Sequence, residues 1–228
     1  TDVGITKKTN QDSLAMKIVE INGKKVAFGI VCDGMGGLSK GELASKEVIL
    51  AFCNWFDDVL LPDVDMGLFD ENRLILQWDD ITQTQNKRLG EYGACKNIQL
   101  GTTVSAILMV ESKYYIVHVG DSRIYHMGNT VTQLTKDQTF IAREIAFGRM
   151  TEEQAKTDPR RSVLLQCVGA SPVVQPEFTK GEVEPDSVYM LCSDGFRHQI
   201  TDKEMLDKIG PGAINDEEDM KYGCIYLT

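Results

Sequence analysis

The chain has 228 residues, 42% of them hydrophobic, with 34 acids against 24 bases and a formal net charge of −10. That length fits one large domain with ample material for a core. The acidic balance and the lack of a basic stripe argue against a nucleic-acid binder, and no apolar stretch approaches the roughly 20 residues that span a bilayer.

In chain order, Asn10-Gln11-Asp12 comes first, then an apolar run over 26–32 that ends in Asp33-Gly34-Met35-Gly36-Gly37. The run is apolar on both strand faces and rich in β-branched residues, so it is expected to form a strand. Ala44, Val48, Ala51, Phe52, Trp55, Phe56 and Val59 recur at three- and four-residue steps and mark a helix with one buried face. Leu74, Trp78, Ile81 and Leu89 predict a second helix near 72–88. Further strands are expected at 104–110, 115–119 and 188–192. Glu111-Ser112-Lys113 and Gly128-Asn129 are links too short for a parallel crossover, so they predict antiparallel hairpins. Thr151-Glu152-Glu153-Gln154 is a capping box and starts a short helix.

Antiparallel strands that are apolar on both faces need cover on both sides. The expected fold class is therefore α+β: a four-layer α-β-β-α sandwich of two antiparallel sheets flanked by helices. No Pro/Gly/Ser-rich linker and no internal repeat divides the chain, which predicts a single catalytic domain over 1–228. The six cysteines contain no C-x-x-C pair, which excludes a zinc ribbon and fits reduced thiols. With no leader segment at the start, a cytoplasmic protein is expected.

Four motifs carry an aspartate beside glycine or a small residue: Asn10-Gln11-Asp12, Asp33-Gly34, Gly120-Asp121-Ser122-Arg123 and Ser193-Asp194-Gly195. A lone Asp-Gly is a common turn dipeptide. Asp33 and Asp194, however, sit at the ends of runs with almost no other polar atom. A carboxylate at the rim of a dry sheet costs free energy unless it is paired or bound to metal. Gly34 can turn its carbonyl toward a cation with no Cβ in the way. Acids at strand ends can hold hard divalent cations through oxygen. Two such ions about 3.5–4 Å apart would ready a bridging hydroxide for in-line attack on phosphorus. The absence of a C-x(5)-R motif agrees with a reaction that needs no cysteine nucleophile. His118, His126 and His198 lack zinc-ligand spacing, and His118 is expected to be a satisfied core or rim residue.

The ordered set of motifs resembles the protein phosphatase 2C family in its compact bacterial form. It runs from Thr1-Asp2-Val3-Gly4 and Asn10-Gln11-Asp12 through Asp33-Gly34-Met35-Gly36-Gly37, Gly101-Thr102-Thr103 and Gly120-Asp121-Ser122-Arg123 to Ser193-Asp194-Gly195. The resemblance implies a Mn²⁺- or Mg²⁺-dependent phosphatase acting on phosphoserine and phosphothreonine in proteins, with two core ions and a third. Asp33 would bridge the core pair, with the Gly34 carbonyl on one ion and Asp194 and Asp219 completing the set. Asp219 is chosen because an apolar segment at 223–227 follows it, as a last strand does in the family. Asp12 would act through water, and Asp121 would hold the third ion. Lys7 stands where the family has a phosphate-gripping arginine, keeping the charge but losing the bidentate fork. Met220 stands where it has asparagine beside the last acid, and Met35 where many eukaryotic members have histidine. The segment 136–161 corresponds to the flap that shapes substrate access. The implied partners are phosphorylated proteins, substrates of a serine/threonine kinase, met by a monomer that binds neither nucleic acid nor membrane. The competing reading is a catalytically silent relative that binds phosphoproteins or serves as a scaffold; the retained acids favour activity. A third reading is a metal phosphoesterase of small molecules.

Overall fold

The computed structural model describes residues 9–35, 40–197 and 200–227. Lys7, Gly36, Gly37, His198 and the segment 1–4 lie outside them.

The strands β1 (Ser13–Ile21) and β2 (Lys24–Cys32) form a hairpin. Asn22 and Gly23 turn it at φ 51° and 75°, the two left-handed positions that a tight Asn-Gly turn requires. β3 (Val104–Val110) and β4 (Lys113–Val119) form a second hairpin beside β2, and β7 (Glu177–Glu182) closes the sheet in the order β1-β2-β3-β4-β7. A smaller sheet holds β5 (Arg123–Met127) between β6 (Val131–Gln133) and β8 (Val188–Cys192). Among the described residues every strand pair is antiparallel, and both short links make hairpins as expected.

The first sheet is covered by α1 (Gly41–Trp55), which runs on through a π turn at Phe56–Leu60 into α2 (Leu61–Asp65), and by α3 (Glu71–Lys96). Phe28 of β2 stacks on Phe56 with ring centroids 5.4 Å apart, and Trp55 meets Trp78 edge-on at 5.6 Å. Burying each such side chain contributes about 1.5–3 kcal/mol. The sheets face each other through Ile107, Ile116 and Ile124. A Cβ at Gly29 of β2 would stand in ordinary van der Waals contact with Leu191 of β8 at 3.7 Å, which shows the two sheets packed against each other there. On the far side, α7 (Asp202–Ile209) and α8 (Glu217–Leu227) lay Met205, Ile209 and Leu227 against Tyr125 and Met127. This gives the four expected layers. The shorter helices α4 (Phe140–Ala146), α5 (Glu152–Thr157) and α6 (Asp194–Arg197) sit in the connections. α5 begins at Thr151 with the predicted capping box.

One expectation is overturned. The apolar segment 223–227 is not a strand but the end of helix α8. Its buried positions, Gly223 and Leu227, are four apart, while Ile225 and Tyr226 are 61% and 70% exposed. That is the period of a helix, not of a strand.

Candidate metal centre

Four acids reach one rim because of strand register. Ser13 pairs with Cys32, so the next step along the hairpin carries Asp12 and Asp33 to the same end of β1 and β2. Arg123 pairs with Cys192, so Asp121 and Asp194 leave β5 and β8 at a common end. The two ends meet where Ser193 Oγ donates to Asp12 Oδ2 over 2.8 Å. The Cys32 thiol, wholly buried in the core between β2 and α1, is pushed well up, by burial first and then by the negative charges of Asp33, Cys53 and Asp12.

Threonines pin Asp33. Its N–H donates to Thr103 Oγ1 at 2.9 Å, and its carbonyl accepts from Thr103 N and Thr102 Oγ1, each at 3.0 Å. Thr103 Oγ1 also lies 2.7 Å from Ser122 Oγ, which ties the Asp33 loop to the Asp121 loop. Asp121 itself is 5% exposed. Gly120 enters this turn at φ 108°, where a Cβ would stand 2.6 Å from Thr103 Cγ2.

Gly34 donates its N–H to the Gln11 carbonyl at 3.1 Å. A Cβ on it would fall 2.4 Å from that oxygen and 2.5 Å from the Gly41 carbonyl. Three backbones therefore converge on a cradle that only glycine can occupy. With the Asp12, Asp33 and Asp194 carboxylates beside it, the donors are all oxygen, the chemistry that suits manganese or magnesium. Among the described residues, no three His, Cys, Asp or Glu side chains are drawn together tightly enough to cage an ion.

Asp219 is placed differently. It lies in the first turn of α8, where Oδ2 accepts from Asn215 N at 3.0 Å and Asn215 Nδ2 at 2.9 Å. Those bonds hold its carboxyl below the usual range. The strand on which its selection rested is absent.

His118 is a core residue, as expected: 1% exposed, with Nε2 donating to the Lys136 carbonyl at 3.1 Å and Nδ1 2.9 Å from Ser105 Oγ. Burial lowers its pKa to about 4, against the pull of Asp137 and of the Lys136 and Gly120 backbone. Arg123 makes a two-pronged pair with Asp137 at 2.8 and 2.7 Å. Burial opposes the Arg123 charge, but the Asp137 bonds outweigh it and raise the pKa. A groove of about 1270 Å³ opens beside this pair, reaching Gly195 at one end and α5 at the other.

The sequence singled out Gly101-Thr102-Thr103 without giving it a task; its hydroxyls prove to be the clamps on Asp33. Ser193 and Gln11 likewise stand in the sequence only as neighbours of acids. Polar residues flanking each aspartate were the available signal.

The protein phosphatase 2C family model matches residues 5–218. The serine/threonine phosphatase stp of Listeria innocua is 30% identical over 210 residues, covering 90% of this chain and 79% of that protein. The serine/threonine protein phosphatase PstP of Mycobacterium tuberculosis is 31% identical over 214 residues, covering 92% of this chain but 38% of its own length. The solved catalytic domain of PstP, in complex with two manganese ions, superposes with a TM-score of 0.76 at 27% identity, covering 98% of this chain and 86% of that one.

Proposed function

The chain belongs to the protein phosphatase 2C family, and on that premise we propose that it removes phosphate from phosphoserine and phosphothreonine in proteins through a centre at the Asp12–Asp33–Asp194 rim. The observation that carries this reading is the Ser193–Asp12 contact, which brings acids from two sheets to one place. Asp33 and Asp194, with the Gly34 carbonyl, would hold the core ions; Asp12 would lie one step out, and Asp121 would serve a further ion. Asp219 is left out of this set because Asn215 already engages its carboxylate. When bound, manganese or magnesium supplies positive charge to the phosphoryl oxygens and makes water a nucleophile near neutral pH.

The protein's own groups act by positioning. Thr103 and Thr102 hold the Asp33 backbone, and Ser193 orients Asp12. Neither nearby candidate nucleophile suits the task. The Cys32 thiol is buried with its pKa raised, which keeps it a thiol and unreactive, and the Ser193 hydroxyl is committed to Asp12. Lys7, outside the described residues, is assigned to the substrate phosphate. The partners are phosphoproteins made by serine/threonine kinases, and the setting is the cytoplasm; among the described residues no helix is long and apolar enough to cross a membrane.

The test is a substrate panel with Mn²⁺: phosphothreonine and phosphoserine peptides against nucleotides and sugar phosphates. Preferential release from the peptides is expected. Turnover confined to small molecules would contradict the reading, and metal-dependent turnover of none would favour the silent relative.

A further inference from the structure

The groove beside the centre has a charge opposite to that of the protein. The chain carries −10. Within the groove, Arg123 and Asp137 cancel each other, which leaves Lys136, Arg143, Lys156 and Arg161 against Glu152 and Glu177. Lys136 pairs with Glu177 at 3.7 Å and Lys156 with Glu153 at 3.1 Å, but both lysines are largely solvent-exposed, where such pairs contribute little. Arg143 lies over the Phe140 ring at 5.3 Å and is paired with Glu144, 3.4 Å from its Nε, so Glu144 offsets much of its charge.

Arg161 is the most available of the four. Its neighbour Arg160 is locked, bonded to Asp158 at 2.8 and 3.0 Å and lying 4.2 Å over the Phe140 ring. The Arg161 N–H closes the same turn onto the Asp158 carbonyl at 3.1 Å. The turn is thereby anchored by one arginine and presents the next to the groove, and among the described residues no carboxylate is paired with the Arg161 side chain. Gly195, the residue after Asp194, lines the same groove. A peptide whose phosphate lies at the centre therefore has this surface beside it for its flanking residues.

We propose that the groove reads acidic residues flanking the phosphorylated position, so that the substrates are phosphoproteins with aspartate- or glutamate-rich sites. This inference rests on the phosphatase reading above. The net negative charge of the protein repels an acidic peptide, and the lysines and Arg161 of the groove draw it in, which gives selectivity and faster capture together.

The experiment compares two phosphothreonine peptides that differ in carrying glutamates or lysines around the phosphosite, with p-nitrophenyl phosphate as a flankless third substrate, all with Mn²⁺. Wild type should favour the glutamate peptide by about tenfold in kcat/KM, with the gap closing at high salt. The double variant Lys156→Glu and Arg161→Glu, checked for an unchanged melting temperature, should lose or invert that ratio. Turnover of p-nitrophenyl phosphate with equal kcat/KM for the two peptides would overturn the flank inference and leave the phosphatase reading standing. So would a glutamate preference that survives in the double variant. Failure of all three substrates would overturn the reading on which the inference stands.

Discussion

The hydroxyl of Ser193 donates to the Asp12 carboxylate over 2.8 Å, across 181 residues of sequence. It joins the end of β8 in one sheet to the start of β1 in the other, at the rim where Asp33 emerges. Groups that orient a metal-binding carboxylate commonly tune affinity by 10- to 100-fold. Ser193→Ala should therefore weaken Mn²⁺ binding by about tenfold while lowering the melting temperature little. Titration calorimetry with Mn²⁺ checks this, and unchanged affinity would remove Ser193 from the centre.

Thr103 serves Asp33 through its hydroxyl. Thr103→Val keeps the shape but leaves the Asp33 N–H and the Ser122 hydroxyl without this partner. An orphaned buried polar group costs about 1–3 kcal/mol. Urea unfolding should show a loss of that size in Thr103→Val and recovery of most of it in Thr103→Ser. Equal losses in the two variants would mean that packing, not the hydroxyl, matters.

Gly34→Ala places a methyl 2.4 Å from the Gln11 carbonyl and 2.5 Å from the Gly41 carbonyl. Both are backbone atoms and cannot swing aside. Overpacking of this kind costs about 1–3 kcal/mol or more, and here the displaced backbone carries Asp33. The variant should melt lower than wild type and lose metal-dependent activity. A melting temperature and activity equal to wild type would show that the cradle is looser than described.

His118 predicts an acid-side loss of stability. Its ordinary pKa of 6.5 falls to about 4 in the folded protein. Above 6.5 neither state binds the proton and stability is unaffected. As the pH falls from 6.5 toward 4, the unfolded chain takes up the proton and the folded one does not, so stability is lost, by up to about 3 kcal/mol. His118→Gln should show a shallower decline between about pH 7 and about pH 4.5, measured by urea unfolding at each pH. An unchanged slope would assign the acid sensitivity to carboxylates instead.

Much of the architecture was legible. The strands at 104–110 and 188–192 were bounded correctly, because continuous apolar runs between turn residues leave little ambiguity. The Asn22-Gly23 turn was the signal for the missed β1, whose outward Leu14, Met16 and Ile18 are 56%, 75% and 70% exposed and give no buried run. The C-terminal helices went unread although Thr201 and Glu204 form a capping box of the same type as that at Thr151. At 223–227 composition suggested a strand, and the spacing of Gly223 and Leu227 decided for a helix. At the site, the acids announced themselves as strand-end residues. The hydrogen bonds from Thr103 and Ser193 depend on two sheets meeting, which sequence spacing does not encode.

The account stands most directly on phosphate release from a phosphothreonine peptide with Mn²⁺, run for wild type, Asp33→Ala and Asp194→Ala beside Mn²⁺ titration of each. Wild type should bind Mn²⁺ and turn over, and each variant should lose both while keeping its folded circular-dichroism signature. Wild-type levels of release and Mn²⁺ binding in folded Asp33→Ala or Asp194→Ala would contradict a centre built on these acids.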